Sequence, residues 1–137
     1  MKIDGGCHCG NVTYEAEVKP DFVVVCHCSD CQKMSSTAYR VVVQSEEKNF
    51  TLLNNPPKDY IKLSENGIER IQAFCPECGS HIYATSIDNI GERAFNIRLG
   101  TVTQKAEFTP TLQIWCRSAQ PWVFDLEDVP REETQPG

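Results

Sequence analysis

Apolar and polar residues alternate from Val12 to Val18, where Val12, Tyr14, Ala16 and Val18 are set apart by Thr13, Glu15 and Glu17. A period of two puts successive side chains on opposite faces, so the run predicts a half-buried strand. Pro20 and Asp21 predict a break after it, and "FVVV" predicts a fresh extended run leading into "CHCSDCQK". "SDCQKMSS" predicts a helical turn capped by Ser29. Further extended runs follow in "TAYRVVVQ", "NFTLL", "YIKL", "ERIQAF", "HIYAT", "AFNIRLG" and "LQIW", with turns at "NNPPKD" and "SENG". No window carries a long helical period. The chain therefore reads as mainly β, with antiparallel strands joined by cysteine-bearing turns. Phe74, Tyr83, Phe95 and Trp115 are expected in its core.

A chain of 137 residues with 40% hydrophobic content can bury a core without cross-links, and one domain over residues 1–124 is expected. From Asp125 the sequence "DLEDVPREETQPG" is acidic and poor in apolar residues, which predicts a loose tail over 125–137. The opening "MKIDGGCHCG" has no apolar signal region, and no window is apolar enough to cross a bilayer, so a cytoplasmic protein is expected. The net charge of -6 argues against a nucleic-acid surface and leaves a small molecule or a protein as partner. In a reducing compartment, eight cysteines point to metal before disulfides.

The cysteines fall in four bursts: Cys7 and Cys9, then Cys26, Cys28 and Cys31, then Cys75 and Cys78, and last Cys116. "CPECG" is a zinc-knuckle pattern, since two intervening residues let both sulfurs reach one tetrahedral ion and Gly79 supplies a turn that side chains resist. A structural zinc takes four ligands, and "CHCG" offers the natural second pair. A closed site of Cys7, Cys9, Cys75 and Cys78 would stabilise the fold and do no chemistry. Cys26, Cys28 and Cys31 would leave the fourth position of a second zinc open, as catalytic sites do. The plainer reading of that triplet is a second structural site completed by a histidine. His8 and His27 are expected to point away from the metals, and His81 to be an ordinary half-buried histidine. Cys116, beside Trp115, is expected as a buried small hydrophobe, with a place near the open metal as the lesser alternative.

The ordered motifs "GGCHCGNVTYEA", "CHCSDCQKMSS" and "FCPECGSHIY" resemble the glutathione-dependent formaldehyde-activating enzyme family, which includes the domain of centromere protein V, over roughly residues 3 to 124. The resemblance implies a β-tent fold of layered antiparallel sheets around a structural zinc held by Cys7, Cys9, Cys75 and Cys78. It also implies a catalytic zinc on Cys26, Cys28 and Cys31. The implied activity joins glutathione to formaldehyde as S-(hydroxymethyl)glutathione, formally carbon-sulfur lyase chemistry. The implied partners are a small-molecule thiol and a small aldehyde. With three thiolates and a neutral fourth ligand the second zinc site carries a formal charge of -1, and easy loss of that ion is expected. Two departures bear on the substrate. Ser36 stands where glycine is common, and Gln113 precedes "IW" where many members carry histidine, which an amide cannot replace in proton transfer. Lys33, Ser35, Arg40 and Arg98 are positions whose charge or polarity suits the carboxylates of a glutathione-like ligand.

Two other classes stand beside the enzyme. A non-enzymatic zinc module for protein interaction would use both metals structurally. A thiol-redox protein would cycle Cys28 and Cys31 through a disulfide. Cys26, so near that pair, favours metal.

Overall fold

A computed structural model describes residues 1–136, and the last residue of the expected tail lies outside them. Eight strands make one continuous sheet: β1 (Lys2–Gly6), β2 (Thr13–Cys26), β3 (Arg40–Leu52), β4 (Lys58–Leu63), β5 (Glu69–Phe74), β6 (His81–Ser86), β7 (Ala94–Arg98) and β8 (Leu112–Ile114). The order across the sheet is β1-β2-β3-β7-β6-β5-β4, all antiparallel, and β8 adds to β2 in parallel. The mainly β, antiparallel expectation holds. The single α-helix among the described residues is α1 (Ser29–Ser35), and no described helix is long and apolar enough to cross a membrane.

The alternation that opens the sequence is realised, with Val12, Tyr14, Ala16 and Val18 all buried. Pro20 and Asp21 do not end the strand. They sit in a register shift between the pairs Val18–Ser45 and Val23–Val43, so β2 is one long bulged strand. A bulge leaves residues out of the ladder, which accommodates a proline that has no N–H to donate. "TAYRVVVQ" and "NFTLL" likewise belong to one strand, β3, carried through "SEEK". β1 was not expected from the sequence, because "KIDGG" offers Ile3 as its one buried apolar residue.

Register decides what each face of the sheet does. Val23 pairs with Val43, Val43 with Ile97, Ile97 with Tyr83 and Tyr83 with Ala73, and cross-strand partners share a face. These residues all lie in the main buried cluster, where Phe50 packs on Tyr14, Tyr83 and Phe95 at ring separations of 5.2, 5.2 and 4.9 Å. One residue along, the opposite face carries Val24, Cys26, Arg40, Val42, Gln44, Asn96, Arg98 and Gln72. A period of two thus gives β2 a core face and a chemical face within "VVVC".

Two aromatic and cysteine expectations are corrected. Trp115 is 38% exposed and Cys116 is exposed, because the backbone turns at Trp115 into the left-handed region (φ 56°) and enters a short 3-10 turn, Cys116–Ser118. β8 leads into that turn with Leu112 and Ile114 already exposed, so the apolar run as a whole faces outward. Tyr83 and Phe95 are core, while Phe74 is half-buried. Residues 125–136 are exposed and contain turns and bends alone.

Candidate metal centres and the adjoining cleft

Cys7 and Cys9 follow β1 directly, and Cys75 and Cys78 occupy the turn from β5 to β6. Each pair is closed by a glycine in the left-handed region, Gly10 at φ 82° and Gly79 at φ 80°. Gly10 N–H donates to Cys7 O at 3.3 Å and Gly79 N–H to Cys75 O at 2.8 Å, folding each pair into a tight loop. The four sulfurs lie within 4.8 Å of one another. Cys7 to Cys9 is 3.6 Å and Cys9 to Cys75 is 3.8 Å. Tetrahedral zinc at about 2.3 Å from each sulfur requires sulfur separations of about 3.8 Å, so the donor set and its spacing fit that ion. Backbone amides already point at the sulfurs: Val12 N–H donates to Cys7 Sγ at 3.2 Å and Glu77 N–H to Cys75 Sγ at 3.4 Å. Ser80, bonded to Cys78 through side chain and backbone, holds that thiol down at about 5. Donors of this kind stabilise thiolates, the form a metal binds.

Cys26 ends β2, Cys28 is the cap of α1, and Cys31 lies in the first helical turn. The cap is therefore Cys28 and not Ser29: Cys28 Sγ accepts from Cys31 N–H at 3.2 Å. A sulfur can take that place because its lone pairs face the free N–H groups of the helix start. The three sulfurs also lie within 4.8 Å of one another, and among the described residues no fourth metal-binding side chain joins them. The hydrogen bond from Cys31 pulls the Cys26 thiol down, the same bond pushes Cys31 up, and burial pushes Cys28 up. The trio on its own thus retains protons that a divalent ion would displace.

His27 does not complete this centre. Strand alternation turns its ring away from Cys26, and it is 1% exposed, packed edge-on against Tyr39 and beside Phe124. His8 is exposed and stands outside both sulfur clusters. His81 is half-buried, with burial and the Arg40 and Arg98 guanidinium groups holding it down at about 4.

The trio opens onto a cleft of about 780 Å³ whose floor is the chemical face of the sheet. Arg40 is the cross-strand partner of Cys26, and Arg98 that of Val42. Of the four positions proposed from sequence to meet a ligand, Arg40 and Arg98 line this cleft, while Lys33 and Ser35 do not. Cys116 is outside it and Trp115 is on its wall. Gln72 and Arg70 of β5 and Lys62 of β4 also line it, and no local pattern in the sequence marks them. At the rim, Lys62 pairs with Asp30 of α1 at 3.0 Å, which ties the far edge of the sheet to the helix carrying Cys31.

A family model described as glutathione-dependent formaldehyde-activating enzyme matches residues 2–118. No curated protein matches the chain. Among solved structures, the crystal structure of a Rhodobacter sphaeroides protein shares this fold, with a TM-score of 0.60 at 17% identity over 80% of this chain and 98% of that one.

Proposed function

The chain belongs to the glutathione-dependent formaldehyde-activating enzyme family, and from that membership we propose that it is a zinc-dependent enzyme of carbon-sulfur lyase type, joining a thiol such as glutathione to a small aldehyde such as formaldehyde. The observation that carries this reading is the convergence of Cys26, Cys28 and Cys31 at the wall of a cleft with no fourth protein donor among the described residues. A zinc ion held by three thiolates keeps one exchangeable position, where it lowers the pKa of a thiol or polarises a carbonyl oxygen. Cys7, Cys9, Cys75 and Cys78 would hold the structural zinc and tie the end of β1 to the β5–β6 turn.

The protein's own part is placement. Cys28 is fixed by the Cys31 amide, and Cys31 by the first turn of α1. Cys26 is fixed by a strand paired on both sides, with Arg40 and with Ile114. Two small reactants brought together in the cleft gain from proximity what they lack in free solution. In the addition the sulfur forms a bond to the carbonyl carbon, the carbonyl π bond opens, and its oxygen gains the proton that the thiol gives up. Gln113 does not line the cleft, and its amide oxygen is bonded to His27.

Elemental analysis of wild type and Cys28→Ser, with zinc-edge absorption spectra on adding glutathione, tests the reading. Two zinc ions per chain in wild type, one in the variant, and a changed sulfur shell with glutathione are expected. Two zinc ions with fixed four-ligand shells, indifferent to thiol, would leave a structural module in place of an enzyme.

A further inference from the structure

We propose that the floor of the cleft is a carboxylate-binding site, in which Arg40 and Arg98, joined through Gln72, anchor the anionic group of a molecule that reacts at the cysteine trio. The proposal rests on the preceding reading for the reacting partner, while the anion site rests on the arginines themselves.

Both guanidinium groups are buried, with Arg40 6% and Arg98 9% exposed. Arg40 Nη1 and Arg98 Nη2 donate to the same atom, Gln72 Oε1, at 3.1 and 2.6 Å. Arg40 Nε and Nη2 and Arg98 Nε are buried with no protein acceptor. Buried cations keep their charge at little cost when an anion meets them, and an amide oxygen carries no charge. The carboxylates lining the cleft are already taken, Asp30 by Lys62 at 3.0 Å and Glu65 by Arg117 at 3.2 Å. Arg70, the third guanidinium on the cleft wall, has no ion pair among the described residues. Three guanidinium groups thus face the one formal negative charge of a zinc trithiolate, and the cleft is left electropositive although the whole chain is acidic, at -6. His81 reports the same field, since Arg40 and Arg98 help to keep it neutral. A guanidinium presents its N–H groups as a planar fork that matches the two oxygens of a carboxylate, and each of these arginines keeps nitrogens that Gln72 does not take.

The carboxylate could belong to the thiol or to the carbonyl partner, and the test separates them. On the zinc-loaded full chain, calorimetry would compare 3-mercaptopropionate with its methyl ester, and glyoxylate as a carboxylate without a thiol. The acid is expected to bind at least ten-fold tighter than the ester. Competition by glyoxylate would assign the anchor to the carbonyl partner, and its absence to the thiol. In Arg98→Met the acid preference is expected to fall below about three-fold with the ester's affinity kept. Gln72→Glu places a carboxylate between the two guanidinium groups, and is expected to raise the melting temperature while abolishing the preference. This second variant keeps the test decisive should Arg98→Met fold poorly. Equal binding of acid and ester to wild type would overturn the inference and leave thiol binding at the trio intact. Failure of both to bind would overturn the two readings together. Arg98→Met that sheds zinc but keeps the acid preference would assign the arginine to balancing the thiolates, and would also overturn it.

Discussion

His27 Nε2–H donates to Gln113 Oε1 at 2.8 Å, across the parallel pairing of β2 with β8. The bond requires the tautomer with its proton on Nε2, and it locks the ring away from the trio. Gln113 is therefore a positioning residue for the loop between Cys26 and Cys28. Gln113→Leu is expected to cost about 1 kcal/mol, the worth of one side-chain hydrogen bond, with the zinc count unchanged. Urea denaturation beside elemental analysis checks both, and an unchanged midpoint would deny the bond its structural role.

Ser36 closes α1 in the left-handed region, at φ 58°. A side chain in that conformation costs about 1 kcal/mol, which glycine avoids. Ser36→Gly is expected to shift the denaturant midpoint upward by an amount near that figure with no change in the slope of the transition. A lower midpoint would show that the serine side chain contributes more than its backbone costs.

Glu47 of β3 receives Arg93 through Nε at 2.7 Å and Nη2 at 2.9 Å, and the backbone N–H groups of Gly91 at 2.8 Å and Arg93 at 3.2 Å. The Arg93 side chain first, and then these amides, hold its carboxyl at about 2, below its ordinary 4.5. A depressed folded pKa gives stability that is complete above about 4.5 and lost as pH falls toward 2. Glu47→Gln is expected to cost about 2 kcal/mol at pH 7, and the gap to wild type should narrow between pH 4.5 and 3. Thermal melts at pH 7, 4 and 3 measure the gap, and one that stays constant with pH would refute the assignment.

The two sulfur clusters differ in what they support. Cys75 is 0% exposed and opens the β5–β6 turn, so Cys75→Ser is expected to abolish cooperative unfolding. A structural zinc site is worth about 10–16 kcal/mol of apparent binding energy near neutral pH, comparable with the whole stability of a domain. Cys28→Ser should keep the fold and lose one metal. Circular dichroism melts of the two variants, with and without a chelator, distinguish these outcomes. Acid should release metal from both sites, because protons compete for every sulfur.

What could be read in advance was the local geometry. The pairs and the trio are each contained in six residues or fewer, and Gly10 and Gly79 fix the turns of the two pairs, so each burst needs no tertiary information, whereas the meeting of Cys7 and Cys9 with Cys75 and Cys78 spans 66 residues and follows only from a zinc ion's need for four ligands. Arg40 and Arg98 were nameable as cations but not as neighbours. Gln72, which joins them, lies on β5, and β6 and β7 must be threaded between before it faces β3. The misplacement of Trp115 and Cys116 has a similar cause, since β8 already lies with Leu112 and Ile114 exposed before the left-handed Trp115 is reached, which hydropathy does not report. Pro20 misled in the other direction, as it sits in a register shift within a strand that resumes its pairing with β3 at Val23.

That shift is an expansion joint. Between it and Cys26, every residue of β2 is pinned against β3, so adding one residue there would turn Cys26 from the cleft toward the core and strand Arg40 without its partner. At Asp21 the same addition only enlarges a bulge already present between the pairs at Val18 and Val23. Cys7 and Cys9 lie before this joint and Cys26 after it, so a residue taken up at the joint leaves the spacing within each sulfur burst untouched.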